Sequence, residues 1–309
     1  MKILVTGGAG FIASHVTDAF VAAGHDVLVL DDLSSGKRDN VNPKARLVVG
    51  DVQSAEVVSE LFARERPEVL CHHAAQMDVR RSVADPAFDA RVNLLGLINL
   101  MEHGRQQGLR KVLFASTGGA IYGEQDVFPA PETHFTAPLS PYGVAKLASE
   151  RYLYFYSQTY GIPYVALRYA NVYGPRQNPH GEAGVVAIFT ERMLRGEQPV
   201  INGEGKQTRD YVFVGDVVQA NLKALGSDYC GAINIGTGIE TDVNTIFREL
   251  VRMGGFSTPE QHGAAKPGEQ LRSVIDSALA QKVLGWHPQV SLAEGLGQTI
   301  EFFRKKLGL

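Results

Sequence analysis

Short runs of apolar, mainly β-branched residues alternate with segments of helical periodicity along the first half of the chain. The apolar runs predict strands at residues 2–6, 26–31, 45–51, 68–75 and 111–117. The segments between them, such as 54–66 and 86–107, space their apolar residues as a helix does. Because the strand runs are continuously apolar, both faces of each strand should be buried. The alternation therefore predicts an α/β fold built on a doubly wound parallel sheet.

The pattern changes after residue 172. Residues 176–184, RQNPHGEAG, are polar and interrupted by proline and glycine, and the rest of the chain mixes short strands with helices. We therefore expect two domains, a parallel-sheet domain at 1–172 and a smaller mixed α/β lobe at 173–309. Some segments of the second lobe could pack back on the first domain.

Composition excludes several classes of partner. The 309 residues carry a formal net charge of −3 without a basic stripe, which argues against nucleic acid. No apolar run reaches the roughly 18 residues that a membrane span needs, and the amino terminus lacks a signal-peptide pattern. Neither the two cysteines, Cys71 and Cys230, nor the pair His72 and His73 has the spacing of a metal site. We expect a cytoplasmic protein without a bound metal or a membrane partner.

The first predicted strand runs into a glycine-rich loop that opens a predicted helix. Gly7 and Gly10 match the first two glycines of a dinucleotide-binding fingerprint, and Ala13 takes the third place, where alanine is tolerated. Backbone N–H groups at such a helix start bind pyrophosphate. Asp31 ends the second strand 21 residues after Gly10, where a carboxylate can accept hydrogen bonds from the adenosine ribose. This Rossmann-type arrangement predicts NAD rather than NADP, because the carboxylate would repel a 2′-phosphate.

A second constellation lies in the segment SPYGVAKLASERY, which contains Tyr142 and Lys146. On a helix, this i, i+4 spacing places both side chains on one face. A neighbouring ammonium and a nicotinium ring would favour the phenolate, which makes Tyr142 a candidate general base. Lys146 could also hydrogen-bond the nicotinamide ribose. Ser116 and Thr117, at the end of the fifth predicted strand, are candidates to hydrogen-bond a reacting sugar oxygen.

These motifs are accompanied by LDDLSSG at 30–36, HHAAQ at 72–76, LRYANVYGPRQ at 167–177 and TRDYVFVGDVV at 208–218. Together they resemble the extended short-chain dehydrogenase/reductase family. Within that family the chain is most similar to the NAD-dependent nucleotide-sugar epimerases that act on UDP-glucose and UDP-galactose. The resemblance implies oxidation of the hexose at C4, rotation of the 4-keto sugar and return of the hydride to its other face. NAD would end unchanged, as a bound catalytic group.

The residue types in the loop before Tyr122 differ between the family's activities. Its dehydratases and decarboxylases typically carry carboxylates there, whereas this chain has Gly118, Gly119 and Ala120, which favours an epimerase. The alternatives are another nucleotide-sugar enzyme, such as a UDP-glucuronate 4-epimerase or a reductase, and a non-catalytic NAD-sensing module. Such modules usually lose the tyrosine and lysine. Gly118 also stands where better-known epimerases carry the catalytic hydroxyl, so we expect Thr117, or else Ser116, to supply it.

The resemblance implies a set of cofactor-binding residues, carried over position by position. The set comprises Gly7, Gly10, Phe11, Ile12, Asp31, Asp32, Leu33, Ser35, Gly36, Asp51, Val52, Ala74, Ala75, Gln76, Asn93, Tyr142, Lys146 and Tyr169. Asp51 and Val52, which follow the third strand, are also placed by the fold to meet the adenine.

The resemblance also implies a set of residues that bind a UDP-sugar, namely Thr117, Tyr142, Asn171, Val185, Arg209, Lys266 and Ser273. Among them, Asn171 and Arg209 should hold the diphosphate, with Lys266 as a further positive charge. Ser273 is small at a position that gates access for N-acetylated sugars in the family, so those sugars could also enter. The helical segment 86–107 and the aromatic run YLYFY at 152–156 resemble the family's dimer bundle and predict a homodimer.

Overall fold

Thirteen strands and twelve α-helices are formed by the part of the chain that the computed structural model describes, residues 1–180, 184–265 and 270–309. The strands are β1 Lys2–Thr6, β2 Asp26–Asp31, β3 Arg46–Val49, β4 Val69–His72, β5 Lys111–Thr117, β6 Tyr164–Tyr169, β7 Asn171–Tyr173, β8 Ile201–Asn202, β9 Thr208–Phe213, β10 Gly231–Ile235, β11 Glu240–Asp242, β12 His262–Gly263 and β13 Arg272–Ser273. The helices are α1 Phe11–Ala22, α2 Ala55–Glu65, α3 Val79–Ala84, α4 Pro86–Ala90, α5 Gly96–Gln106, α6 Gly118–Ile121, α7 Pro141–Tyr160, α8 Val185–Leu194, α9 Val214–Gly226, α10 Val243–Gly254, α11 Ala278–Leu284 and α12 Leu292–Leu307.

Seven of the strands form one sheet in the order β10-β6-β5-β4-β1-β2-β3, and every neighbouring pair in it is parallel. The predicted doubly wound sheet is therefore confirmed. Two of the predicted strands are shorter than their apolar runs, because 45–51 and 68–75 extend past the ladder into polar loops. Strand order reverses between β1 and β4, and the crevice at such a point is where ligands bind in open α/β sheets.

The sheet takes its last edge strand from the second half of the chain. β10 pairs in parallel with β6, and α9 and α11 pack on the same side of the sheet. Val217, Ile233 and Trp286 belong to the same buried cluster as Val5 and Val16 of the first βα unit. The Trp286 indole N–H also donates to the main-chain oxygen of Asp216, at 2.8 Å. The large sheet is thus completed by residues far downstream of 172.

A second, smaller body of structure lies at the carboxyl end of β6. There β9 pairs with β7, β11 and β13. Helices α8, α10 and α12 cover this small sheet and share its buried cluster, to which they contribute Phe189, Phe247 and Leu296 respectively. Because β7 follows β6 after a single residue, the small sheet begins at the edge where the crevice opens.

The predicted single helix at 86–107 is interrupted, so this expectation was wrong in detail. α4 and α5 are separated by a π-helical turn at Arg91–Leu95. The wider turn brings Asn93 into the interior, where it is buried and hydrogen-bonded, and such turns are common at functional sites. In the described part of the chain, no helix is both long and apolar enough to cross a membrane.

Candidate active site

The loop between β1 and α1 has the shape that a phosphate group requires. Gly7 has a φ of 71°, and a Cβ at this position would lie 2.7 Å from the main-chain nitrogen of Ala74. Gly10 precedes α1 and provides no side-chain cap, so the N–H groups of the first helical turn remain suited to an anion. Ala13 lies further along α1, buried with Val5 in the core. Its methyl group therefore packs between helix and sheet, away from the loop, and the loop fits a pyrophosphate.

Asp31 is held at the end of β2 by the backbone of two loops. Its Oδ2 accepts from the N–H of Ala9 at 2.9 Å and its Oδ1 from the N–H of Leu33 at 2.8 Å. Burial raises the pKa of this carboxyl. Each oxygen keeps a second lone pair for a ribose hydroxyl. Asp32, in contrast, is exposed and accepts from Ser34 within the turn, so Asp31 is the better ribose partner.

The other predicted cofactor residues lie along the same edge of the sheet. They start α1 (Phe11, Ile12), follow β2 (Ser35, Gly36), follow β3 (Asp51, Val52), follow β4 (Ala74, Ala75) and end β6 (Tyr169). The Tyr169 hydroxyl accepts from the Asn221 amide at 2.8 Å and lies 3.1 Å from His73 Nε2. His72 ends β4 with its Nδ1 2.6 Å from the Thr6 hydroxyl, whereas its buried Nε2 has no hydrogen-bond partner among the described residues.

Gln76 and Asn93 bind each other, and their side chains are used within the protein. The Asn93 amide accepts from the Gln76 N–H at 2.9 Å and donates to the Gln76 main-chain oxygen at 2.8 Å. Both amides also donate to Oδ1 of Asp89. These hydrogen bonds position the loop after β4. The two side-chain amides are therefore occupied within the protein rather than directed at a cofactor. Asp89 escaped the sequence reasoning, although it lies one helical turn before Asn93.

Tyr142 and Lys146 lie on one face of α7, beside the end of β5. The Lys146 ammonium is 5.9 Å from the centre of the Tyr142 ring and donates to the main-chain oxygen of Ala115 at 2.9 Å. Ser140 caps the helix by accepting from the N–H of Gly143, which fixes the first turn where Tyr142 stands. The helix thus delivers the phenol and the ammonium together.

The direction of the Tyr142 pKa shift differs from the sequence expectation. Burial, followed by the charge of Asp89, raises the pKa of Tyr142. Burial also lowers the pKa of Lys146 to about 8, although Asp89 and Glu150 oppose this shift. The positive charge of Lys146 is therefore not enough to offset the rise in the pKa of Tyr142 that burial causes. The protein's own groups hold Tyr142 neutral, and a further positive charge at the site is needed to favour the phenolate.

Ser116 and Thr117 have different surroundings. The buried Ser116 hydroxyl donates to Glu150 Oε1 at 2.6 Å. Thr117 Oγ1 accepts from the N–H of Ala120 at 3.2 Å as the cap of α6, so its own hydroxyl proton can serve a ligand. A Cβ at Gly118 would lie 2.6 Å from Ile275 Cδ1. A side chain at 118 would therefore require Ile275 to shift. With glycine at 118, Thr117 is the better placed hydroxyl donor.

A buried ion pair behind the site was also missed by the sequence reasoning. Arg168 on β6 binds both carboxylate oxygens of Glu150, at 2.7 and 3.0 Å, and donates to the Tyr122 hydroxyl at 2.9 Å. Glu150 stands one helical turn after Lys146, which was the only signal for it. The network ties α7 to β5 and β6, so it fixes the position of the helix that carries Tyr142 and Lys146.

The predicted substrate residues meet on the small sheet. β7 and β13 both pair with β9, so that Asn171 pairs with Tyr211 and Ser273 with Arg209. Ser273 is buried, and the Arg209 guanidinium donates to the main-chain oxygen of Thr208 at 2.8 Å. A Cβ at Gly119 would lie 3.5 Å from Asn171 Oδ1, which brings this sheet next to the end of β5. Val185 starts α8, and Lys266 lies outside the described residues.

Comparison with known proteins places this geometry in one family. The profile of the NAD dependent epimerase/dehydratase family matches residues 3–236. The UDP-glucose 4-epimerase of Mycolicibacterium smegmatis is 46% identical over 313 residues, covering 99% of each chain. The crystal structure of Thermotoga maritima UDP-glucose 4-epimerase with UDP-glucose has a TM-score of 0.98 at 50% identity, covering 99% of this chain and 100% of that one. The Thermus thermophilus UDP-glucose 4-epimerase complex with NAD has a TM-score of 0.94 at 45% identity, covering 98% and 99%.

Proposed function

The chain belongs to the NAD-dependent epimerase/dehydratase family, and from this membership we propose that it epimerises a UDP-hexose at C4, interconverting UDP-glucose and UDP-galactose with NAD as its cofactor. The observation that carries the proposal is the pairing of Tyr142 with Lys146 on α7, beside the end of β5. Two similar structures contain UDP-glucose and NAD respectively, which supports the same substrate and cofactor here. Glycine and alanine at 118–120 provide no acid or base for a dehydration, which is consistent with epimerisation.

The residues at the site divide the work of the reaction. Bound NAD supplies the hydride acceptor and donor for C4. Tyr142 removes the proton from the C4 hydroxyl and returns it after the sugar has turned. Lys146 stabilises the phenolate, and Thr117 hydrogen-bonds the reacting oxygen. Asn171 and Arg209, together with Lys266, hold the diphosphate, so that the hexose can rotate while the nucleotide stays in place.

The test is an assay with three nucleotide sugars, each with and without added NAD. We expect UDP-galactose to be converted to UDP-glucose. Because Ser273 is small, we also expect UDP-GlcNAc to be converted to UDP-GalNAc at high enzyme concentration. UDP-glucuronate should show no inversion. Inversion of UDP-glucuronate alone would overturn the substrate assignment, and absence of inversion with all three sugars at saturating NAD would overturn the proposed activity.

Thr117→Val should lower kcat by about 10²-fold or more, because a hydrogen bond to the reacting oxygen is lost while the shape of the side chain is kept. KM should change little, since the diphosphate carries most of the ground-state binding. Ser116→Ala is the matched control at the adjacent position. It should lower the free energy of unfolding by about 1 kcal/mol through the lost bond to Glu150 and leave kcat nearly unchanged. The reverse pattern would transfer the catalytic role to Ser116.

We also propose that two copies of the chain associate through one face of α7. On α7 the exposed apolar side chains are Val144, Tyr154 and Phe155. Val83 of α3 and Leu95 of the π-helical turn add exposed apolar side chains on the adjoining segments. Contiguous exposed apolar surface of this kind marks a protein interface.

As part of the same proposal, the enzyme acts in galactose metabolism in the cytoplasm, where the exposed free thiol of Cys230 would remain reduced.

Phe155→Asp should convert the dimer to a monomer, because it places a charge in the centre of the apolar face. The measurement is the molar mass in solution by light scattering at several concentrations. Phe135→Asp, at a 79% exposed site outside α7, is the matched control and should remain dimeric. A wild-type protein that is monomeric at micromolar concentration would contradict the proposal.

A further inference from the structure

Asp210 of β9 is a buried carboxylate that holds the loop after β10. It is 1% exposed, its Oδ1 accepts from the N–H and the hydroxyl of Thr237 at 2.8 and 2.6 Å, and its Oδ2 accepts from the N–H of Gly238 at 3.1 Å. Gly238 has a φ of 72°, a left-handed conformation in which consecutive N–H groups can converge on one anion. Hydrogen bonds to a carboxylate are stronger than those between neutral groups. Asp210 therefore clamps the small sheet, through β9, to the end of β10, the edge strand of the large sheet.

The clamped strand also carries a residue that is predicted to bind the diphosphate. Arg209 directly precedes Asp210, and because side chains alternate along a strand, the two point to opposite faces of β9. Arg209 pairs with Ser273 of β13 on one side and with Thr241 of β11 on the other, so it stands in the middle of the small sheet. A shift of β9 at Asp210 would therefore move the guanidinium on the opposite face.

The clamp also reaches the turn after Thr117, and the contact runs through Ile275. A Cβ at Gly236, which follows β10, would collide with Asp210 Oδ2 and would lie 2.7 Å from Ile275 Cγ1. At the other end of the same side chain, a Cβ at Gly118 would lie 2.6 Å from Ile275 Cδ1. The buried Ile275 is thus enclosed between a glycine beside the clamp and a glycine in the turn. Because close-packed interiors transmit displacements, a change at the clamp should be felt at the turn.

We propose that Asp210 is a positioning residue for substrate binding: its bonds to the loop after β10 keep Arg209 and the turn after Thr117 at the spacing that a UDP-sugar needs. This role rests on the proposed function, because that function makes Arg209 a diphosphate contact and Thr117 a hexose contact. It differs from a general contribution to stability, because it predicts a selective loss of nucleotide-sugar binding. The NAD loop after β1 should be unaffected, since β6, β5 and β4 separate β1 from β10 in the large sheet.

Binding of UDP alone, measured by calorimetry at saturating NAD, tests this role in Asp210→Asn. The substitution keeps the size of the side chain but replaces one acceptor oxygen with an amide that only donates, so the clamp loses at least one bond. UDP affinity should fall by about 10-fold, because the hydrogen bonds of a charged group to the diphosphate are weakened. NAD affinity should stay at the wild-type value.

Asp216→Asn is the matched control for Asp210→Asn. Asp216 is also a buried carboxylate that accepts from two main-chain N–H groups, those of Gln289 and Val290, but it ties the start of α9 to the segment before α12. This variant should lose stability and keep wild-type UDP affinity.

Two outcomes would overturn the proposal: UDP affinity that is equal in Asp210→Asn and the wild type, and an equal loss of UDP affinity in Asp210→Asn and Asp216→Asn. Because UDP binding needs no turnover, a wild-type protein that binds UDP but inverts no sugar would contradict the proposed function, while the comparison of the variants still decides on Asp210. A wild-type protein that binds no UDP would overturn the proposed function and this role together.

Gly236→Ala approaches the clamp from β10 and keeps Asp210, so the test does not depend on whether Asp210→Asn folds. Its methyl group should displace Asp210 Oδ2 and Ile275 together. KM for UDP-galactose should therefore rise by about 10-fold, and kcat should fall by about 10-fold because the turn after Thr117 is misplaced. Gly226→Ala is the matched control, since a Cβ there, at the end of α9, would meet no described atom within 4 Å. A wild-type KM in Gly236→Ala would overturn the proposal.

Discussion

Tyr142→Phe should lower kcat for UDP-galactose by about 10³-fold or more, because the substitution removes the hydroxyl that we propose takes the C4 proton. The ring is kept, so its contacts in α7 and beside Lys146 should persist. NAD and UDP-sugar should therefore still bind. Initial rates measure the first effect, and the amount of nucleotide that is released on denaturation measures the second.

Tyr160→Phe is the matched control for Tyr142→Phe, because Tyr160 ends the same helix at a 44% exposed position. It should retain wild-type kcat. In the wild type, activity should fall as the pH is lowered, because burial raises the pKa of Tyr142 and protonates the base. A Tyr142→Phe enzyme with more than a tenth of wild-type kcat would show that another group moves the proton.

Arg168→Met should lower the free energy of unfolding by about 3–5 kcal/mol, because it leaves the buried Glu150 carboxylate without its counter-charge. Glu150 and Arg168 are both almost fully buried and share two hydrogen bonds, at 2.7 and 3.0 Å. Since this pair ties α7 to β6, kcat should fall as well. Denaturant unfolding at fixed NAD concentration measures the loss of stability.

The half-buried pair Glu102 and Arg105 provides the matched control for the buried pair, because it has the same chemistry with access to water. Arg105→Met should change stability far less, since water still solvates both charges of this pair. The double variant Arg168→Met with Glu150→Leu should recover part of the loss, because no charge is then left buried. Equal losses in Arg168→Met and Arg105→Met would show that the buried pair does not hold the helix.

The departure at Gly118 illustrates how one position depends on a residue far along the chain. A side chain at 118 would collide with Ile275, which packs with Ile121 and Tyr122 in a small cluster. The loop sequence alone shows that the usual hydroxyl is missing there. That a side chain at 118 would require Ile275 to move is visible only in the structure, because the two residues are more than 150 positions apart.

Several features of the protein follow from the sequence alone, because they depend on residues close together in the chain. Continuous apolar runs predicted five of the seven strands of the parallel sheet, β1 to β5, and the i, i+4 spacing of Tyr142 and Lys146 predicted one helical face. The glycine loop and the acidic residue that ends β2 predicted the NAD-binding end of the sheet. In each case, a local pattern of side chains reports a local backbone geometry.

The tertiary structure decided the features that depend on burial and on distant pairing. β10 completes the large sheet from the second half of the chain, and a π-helical turn interrupts the helix expected at 86–107. Asp89 is buried against the amides of Gln76 and Asn93, and burial raises the pKa of Tyr142 where the neighbouring lysine had suggested the opposite. The free energy of a charge depends on how much water the whole fold excludes, and a local sequence pattern does not contain that quantity.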